Sequence, residues 1–256
     1  MDILKFNVSG ASAFFKKPDV NAYRYLTYGQ LHKVALMGLV GAILGLKGYI
    51  HQGDNEYPEF YDVLKNIKVA IVPKQKEYKA GFNKQMQIFN NSIGFCNKDK
   101  DENPTNLLVQ EQWLLDVSWD IYIICDNEYI EKLKYMLENK QAKFLPYLGK
   151  NDHFANIKDI EYIPEVSSVN LNEVTKINSL FDGEKAAIDK TLERKIHSRT
   201  DSYWDKTFLY KEFLPYELDK NLCYISKKFV YTDKPIKILD KNIDLYRVKN
   251  DILYFF

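Results

Sequence analysis

The chain has 256 residues, enough for a sizeable hydrophobic core and one or two domains. Its 36 Lys and Arg residues nearly balance 35 Asp and Glu residues, and the resulting net charge of +1 is not that of a free-standing nucleic-acid binder, although it allows a local basic surface. Three widely spaced cysteines form neither a disulfide framework nor a zinc-ligand spacing, which predicts a reducing, cytoplasmic location.

Apolar periodicity and composition predict seven segments in the first two-thirds of the chain. They are strands at 3–10, 67–80, 118–126 and 157–169, helices at 31–47 and 127–139, and a polar, Asn-rich excursion at about 81–112. Asn127 is the predicted N-cap of the second helix. The excursion is longer than a connection requires, so it is a functional candidate. The order of the elements is that of the β-α-β-β-α-β, RRM or ferredoxin-like class, an α+β fold.

The remaining residues differ from this pattern and predict a division of the chain into two parts. Residues 1–169 would form the RRM-like domain that carries the excursion. Residues 170–256 begin with a polar segment and continue with short strand-like runs, which predict a small β-rich C-terminal subdomain.

The first predicted helix is unusual because apolar residues and glycines run without interruption from Val34 to Leu46. The run is shorter than the roughly 20 residues that span a bilayer, so no membrane segment is predicted. Its glycines match neither a P-loop nor a dinucleotide-binding motif. Their spacing places Gly38, Gly41 and Gly45 on one side of the helix, where we expect a closely packed neighbour. Tight packing of the helix on the sheet alone is an equally good explanation of this stripe.

Catalytic and metal-binding patterns are weak. None of the four histidines lies in a known ligand motif, and neither a metal nor a cofactor is predicted. Lys150, Asp152 and His153 form the sharpest polar cluster, which could support acid–base chemistry, but an exposed glycine turn explains it better. His32 and Lys33 begin the first helix, where backbone N–H groups attract anions, although an ordinary helix start explains His32 almost as well.

Cations and aromatic residues point instead to phosphate and base contacts. Lys16, Lys17, Arg24 and Lys33 cluster around the loop before the first helix, and Arg24 lies between two tyrosines that favour base stacking. In the excursion, Lys84 and amides such as Gln85 can contact phosphate or sugar. A free hairpin that exposed the apolar residues of the excursion to water would be only marginally stable. We therefore expect a partner surface to bury these residues.

Three stretches together resemble one known family. They are "FNVSGASAFFKKP", with Gly10, Ala13, Phe15, Lys16, Lys17 and Pro18; "LTYGQLHKVALMGLVGAILGL", with Thr27, Tyr28, Lys33, Ala35, Gly38, Gly45 and Leu46; and "PYLGKNDHFANI", with Leu148, Gly149, Lys150, Asn151 and Ala155. In this order and spacing they are similar to the Cas-five family of CRISPR-associated proteins, particularly its type I-B members. The resemblance covers residues 1 to about 165.

The resemblance implies an RRM-like fold and a non-catalytic role in antiviral defence, within the RNA-guided Cascade complex. Such a subunit caps the 5′ handle of the crRNA and inserts a thumb hairpin beside the guide. Its partners would be the crRNA, the backbone and large subunits, and target DNA through the assembled complex. The residues expected to bind RNA are Lys16, Lys17, Arg24, Tyr28, His32, Lys33, Lys84, Gln85, Lys150 and Asn151.

Two other functions stay open. Type I-C members of the same family process precursor crRNA as metal-independent endoribonucleases with adjacent Lys and His residues. This sequence has no Lys-His dipeptide, since His32 and Lys33 stand in the reverse order. The third candidate is an RRM-like module outside CRISPR systems. RNA binding with or without cleavage separates the first two functions.

Overall fold

A computed structural model describes residues 1–19, 23–75, 81–91, 107–197 and 207–256. The strands are β1 Ile3–Ala13, β2 Arg24–Tyr25, β3 Val69–Pro73, β4 Asn83–Asn91, β5 Leu107–Ile124, β6 Asn156–Ile163, β7 Ser167–Ser168, β8 Phe181–Asp182, β9 Ala186–Ile188, β10 Leu209–Leu218, β11 Tyr224–Thr232, β12 Ile236–Ile238, β13 Leu245–Val248 and β14 Asp251–Tyr254. The helices are α1 Lys33–Leu44, α2 Glu59–Leu64, α3 Glu128–Glu138 and α4 Lys190–His197, with 3-10 turns at Tyr49–His51 and Leu171–Glu173. The chain is a mixed α+β protein, as its sequence predicts.

The main sheet is built around β1, which is covered on both faces. Leu4, Phe6 and Val8 are fully buried in the main core, while Ile3, on the opposite face, is buried in a second, smaller cluster. β1 pairs antiparallel with β5 on one side and with β6 on the other. β3 pairs antiparallel with the C-terminal half of β5, which gives the order β3–β5–β1–β6. The N-terminal half of β5 pairs antiparallel with β4 and parallel with β2.

Helices α1, α2 and α3 all bury apolar residues in the main core. In α3, Ile130, Leu133 and Leu137 lie on the buried side, and the Asn127 side chain accepts hydrogen bonds from the N–H groups of Tyr129 and Ile130. The predicted helix at 127–139 and its N-cap are therefore confirmed. Helix α1 falls within the predicted range 31–47 and ends at Gly45, whose φ of 80° is the left-handed conformation that glycine adopts readily.

Two elements differ from the sequence prediction for physical reasons. β5 begins at Leu107, well before the predicted strand start at residue 118. Asp116, with a φ of 50°, interrupts the in–out alternation of side chains, so the alternation after it does not continue into the residues before it. Helix α2 follows Pro58 and was not predicted, since six residues are too few to show helical periodicity. Among the described residues, the predicted strand at 67–80 ends at Pro73. Residues 92–106, which include Cys96 and much of the predicted excursion, lie outside the described residues.

Residues beyond 169 form short strands that pack against the main sheet. β10, β11 and β8 make one small sheet, β14, β13 and β7 a second, and β12 pairs with β9. Val69 and Phe256 exchange backbone hydrogen bonds at 3.1 and 3.0 Å. Phe229 and Phe256 belong to the same buried cluster as Leu4 and Phe6, so apolar contacts cross the predicted boundary at residue 169. That boundary stays a prediction.

The three glycines of the α1 stripe have different surroundings. A Cβ atom at Gly41 would lie 2.7 Å from Cβ of Phe60 in α2, and one at Gly45 would lie 2.7 Å from Cγ of Lys143. A Cβ atom at Gly38 would have no heavy atom within 4 Å. The expectation of a packed neighbour is therefore wrong at Gly38, because this position faces an open groove. No helix among the described residues is long and apolar enough to cross a membrane.

Gly41→Ala and Gly38→Ala are expected to change stability in opposite directions. Both replacements add the same methyl group and gain up to about 1 kcal/mol of helix propensity. At Gly41 the methyl group overlaps Phe60, and overpacking of this kind costs about 1–3 kcal/mol. Gly38→Ala should therefore raise the free energy of unfolding in urea and Gly41→Ala should lower it. Equal changes in the two variants would contradict the packing of α1 on α2.

Candidate nucleic-acid interface

A groove of about 790 Å³ runs along the glycine side of α1, and we call it the α1 groove. Its lining includes Gly38 and Gly45, which have no side chain, and Ala42, which has only a methyl group. The three stretches that carry the family resemblance all contribute to it. Phe15 comes from the segment between β1 and α1, and Tyr147 and Gly149 come from the segment before β6. Residues that are more than a hundred positions apart in sequence thus line one depression.

The segment of residues 146–153, which we call the glycine–lysine loop, is fixed against the end of β1. The Phe14 N–H donates to the Leu148 carbonyl at 3.0 Å, and the Leu148 N–H donates to the His153 carbonyl at 2.7 Å. Gly149 has a φ of 88°, and a Cβ atom there would lie 2.0 Å from the Phe14 carbonyl oxygen. Only glycine allows this approach, so Gly149 sets the position of one wall of the α1 groove.

One end of the α1 groove is a cluster of rings around His32. The rings of Phe15, Tyr28 and Tyr224 lie with their centroids 5.3–5.7 Å from that of His32, in edge-to-face arrangements. His32 is 3% exposed, and its Nδ1 accepts a hydrogen bond from the Ala35 N–H at 3.2 Å. Burial lowers the pKa of His32 to about 3 and raises that of Tyr28 to about 12. Both side chains are therefore neutral at physiological pH.

Lys33 is also buried, at 4% exposure. Its Nζ donates a hydrogen bond to the Phe256 carbonyl at 3.2 Å and lies 4.9 Å from the centre of the Tyr216 ring. Burial lowers the pKa of Lys33 to about 8, although the charge of Glu217 opposes this shift. Contact of Tyr28, His32 and Lys33 with RNA stays a prediction, but in the structure each of them has a partner within the chain.

The segment between β1 and α1 is called the first loop; its described residues are 14–19 and 23–32, and they present cations to solvent. Backbone hydrogen bonds from Lys17 to Leu26 and from Tyr28 to Phe15, each 2.8 Å, hold its two arms together. Arg24 is exposed, and its Nε donates to the Gln110 side chain at 3.1 Å. Lys16 is exposed, with its Nζ 4.1 Å from the centre of the Tyr25 ring. Lys17, in contrast, is ion-paired with Glu212 of β10.

The glycine–lysine loop is tied to β5 through Lys150. The Lys150 Nζ lies 3.1 Å from carboxylate oxygens of both Glu111 and Asp152, and 5.3 Å from the centre of the Phe89 ring in β4. The neighbouring Asn151 is exposed. His153 is 1% exposed and its Nδ1 lies 2.6 Å from the Ser12 hydroxyl, while burial lowers its pKa. The chain encloses this histidine, and a role of the cluster in acid–base chemistry stays untested.

The hairpin formed by β4 and the first half of β5 exposes both polar and apolar side chains. Lys84 and Gln85 are exposed on β4. The apolar side chains of Met86, Ile88 and Leu108 are 39, 64 and 56% exposed. An apolar surface that is exposed among the described residues in this way is typical of an interaction site.

Several residues of the site could not be found from the sequence. Tyr224 and Glu212 come from the C-terminal strands, where an alternating pattern predicts strands but not their neighbours. Phe144, 56% exposed, joins the wall of the α1 groove because its N–H donates to the Ala42 carbonyl at the end of α1. No group of His, Cys, Asp or Glu side chains in the described part of the chain has the arrangement of a metal site.

Comparison with solved structures shows the fold of the chain. It aligns over 92% of its length with 91% of the length of a chain in a "CRISPR RNA-guided surveillance complex", with 10% sequence identity and a TM-score of 0.52. A CRISPR protein from Archaeoglobus fulgidus aligns over 99% of this chain and 98% of its own, with 9% identity and a TM-score of 0.44. A chain of the type III-B Cmr-beta complex bound to cognate target RNA aligns over 99% of this chain and 86% of its own, with 10% identity and a TM-score of 0.41. No family model and no curated protein sequence matches the chain.

Proposed function

We propose that the chain is a non-catalytic, crRNA-binding subunit of a type I CRISPR surveillance complex, and that it caps the 5′ handle of the guide. The observation that carries this proposal is the convergence of the three family-like stretches on the α1 groove. The similarity of the fold to a chain from a CRISPR RNA-guided surveillance complex supports it. The finer assignment to type I-B members of the Cas-five family rests on the sequence resemblance alone.

We also infer that β1, α1, β3, β5, α3 and β6 form the RRM-like unit that the sequence predicts. The support is the antiparallel strand order β3–β5–β1–β6, combined with a helix after the first and after the third of these strands in chain order. This arrangement matches the β-α-β-β-α-β class.

The α1 groove suits single-stranded RNA because aromatic rings and exposed cations meet there. Unpaired bases stack on aromatic side chains, which Phe144, Tyr147 and Tyr224 would provide along the walls. Phosphates would be held by exposed cations, of which Lys47 lines the groove. Arg24 on the first loop, exposed and hydrogen-bonded to Gln110, would supply a further phosphate contact. The near-neutral total charge fits a subunit with one face against RNA and others against protein.

The hairpin of β4 and β5 is the proposed thumb. Its exposed apolar side chains would be buried by a backbone subunit of the complex, and Lys84 and Gln85 would contact the guide. The large subunit is the other expected protein partner, and target DNA would be met through the assembled complex.

An endoribonuclease is the second candidate, and one observation favours it. Lys47, Tyr49 and His51 all line the α1 groove and are exposed, and these residue types can move protons during RNA cleavage. Incubating the purified chain with a cognate CRISPR repeat RNA in EDTA separates the candidates. Retention of RNA of unchanged length supports the binding subunit, whereas shortened RNA supports the nuclease. RNA that is neither bound nor cut would contradict both.

Arg24→Gln is expected to weaken binding of the repeat RNA and to reduce its salt dependence. Each lost phosphate contact lowers the slope of log Kd against log salt concentration by about 1. Fluorescence anisotropy with labelled RNA over a salt series measures this slope. Lys132→Gln is the control for loss of one positive charge, because Lys132 is exposed on α3 and belongs neither to the first loop nor to the lining of the α1 groove. An unchanged slope in Arg24→Gln would remove the first loop from the interface.

A further inference from the structure

Glu212, on β10, interacts through its carboxylate with three groups, two of them in the first loop. It accepts a hydrogen bond from the Gly29 N–H at 2.7 Å, forms an ion pair with Lys17, and accepts a hydrogen bond from the Tyr210 hydroxyl. The Glu212 side chain is only 15% exposed. Burial, reinforced by the charge of Glu212, raises the pKa of Tyr210, so Tyr210 stays a neutral donor.

The partners of Glu212 lie at the two ends of one segment of the first loop. Lys17 stands before the exposed part that carries Arg24, and Gly29 stands after it. A Cβ atom at Gly29 would lie 3.1 Å from the Tyr210 hydroxyl and 3.2 Å from a Glu212 oxygen, so glycine permits the close approach. A single carboxylate from the C-terminal strands therefore holds both arms of a loop whose cations face solvent.

We propose that Glu212 is a positioning residue for RNA binding, which it supports by clamping the first loop through Lys17 and Gly29. This inference rests on the proposed function. Lys17 then acts as an internal strap and not as a phosphate contact, because its charge is already paired inside the protein. The clamp keeps the Arg24 side of the loop in the orientation that binds RNA. The conformational entropy of the loop is therefore lost when the protein folds and not when RNA binds.

The charge change in Glu212→Gln separates this role from a bystander role. The substitution removes one negative charge beside the proposed interface and releases Lys17. If Glu212 were a bystander, both effects would strengthen binding to RNA, which is an anion. If Glu212 positions the loop, binding weakens although the net charge becomes more positive. We expect an affinity loss of about fivefold, the size that ordering of a few side chains produces.

The experiment measures RNA affinity over a salt series for Glu212→Gln, Lys17→Met and Lys17→Arg. Two results together support the clamp. Glu212→Gln and Lys17→Met bind RNA more weakly with an unchanged salt slope, and Lys17→Arg, which restores the ion pair, recovers the affinity. Glu184→Gln is the control, since Glu184 is exposed and forms no ion pair among the described residues. Tighter or unchanged binding by Glu212→Gln, or a slope reduced by Lys17→Met, overturns the inference.

Hydrogen exchange in the free protein makes the test independent of RNA. Gly29 donates its N–H to Glu212, so the clamp predicts faster exchange at Gly29 in Glu212→Ala, which has no side-chain acceptor, than in the parent chain. If the parent chain binds no RNA, the proposed function fails and the exchange result alone decides whether the loop is clamped. Unchanged exchange at Gly29 would overturn the clamp in either case.

Discussion

Gly149→Ala is expected to lower the free energy of unfolding by about 3 kcal/mol, because the added methyl group meets backbone atoms and the backbone conformation favours glycine. The added Cβ atom would lie 2.0 Å from the Phe14 carbonyl oxygen and 2.8 Å from its carbonyl carbon. These are backbone atoms at the end of the central strand, so they cannot rotate away as a side chain would. The φ of 88° adds a second cost, since residues with a Cβ atom are strained there.

Gly53→Ala separates these two costs. Gly53 also has a positive φ, of 57°, but a Cβ atom there would have no heavy atom within 4 Å. This control should therefore show only the conformational cost, about 1 kcal/mol. Urea denaturation followed by circular dichroism measures both variants. A loss in Gly149→Ala no larger than that in Gly53→Ala would mean that the glycine–lysine loop can move off β1 freely.

Gly38→Leu is expected to reduce affinity for the repeat RNA by tenfold or more, on the order of one lost base-stacking contact, while the chain stays folded. Gly38 faces the open α1 groove, so a leucine side chain would project into the space proposed for RNA. Leucine is also a better helix former than glycine, so α1 should not lose stability. The predicted signature is thus lost binding with a free energy of unfolding that is equal to or above that of the parent chain.

Gly38→Ala is the control for this prediction because it adds one methyl group and leaves most of the groove open. It should retain near-parental affinity. RNA binding is measured by anisotropy and stability by urea denaturation on the same preparations. Parental affinity in a folded Gly38→Leu variant would place the RNA elsewhere on the protein.

Local sequence patterns were sufficient to predict the helices that are specified by their own residues. Helix α3 could be predicted because Asn127 caps it and its apolar residues recur at helical spacing. The run from Val34 to Leu46 likewise indicated α1, but its sequence is apolar on all sides and cannot tell which glycine faces a neighbour. Gly41 meets Phe60, whereas Gly38 faces the groove, and this difference depends on where the short helix α2 packs.

The candidate site is built from contacts between residues that are far apart in sequence, and these contacts could not be predicted from local patterns. The cations of the first loop were identified from composition, but the ion pair of Lys17 with Glu212 joins positions almost two hundred residues apart. Lys33 was expected at an open helix start, yet the Phe256 carbonyl and the Tyr216 ring of β10 cover it. The periodicity of either segment does not indicate a contact with a residue so distant in sequence.

The length of β5 has a mechanical consequence. The strand has 18 residues, roughly 55–60 Å at the usual rise per residue, and most strands are about a third as long. One end carries the hairpin with β4, and the other pairs with β1 from Ala13 opposite Leu114 to Ile3 opposite Ile124. A partner that pulls on the hairpin along the strand axis would load this whole ladder in shear, so its hydrogen bonds share the force and do not open one at a time. Tension applied to the hairpin would therefore reach the centre of the sheet without peeling the hairpin away.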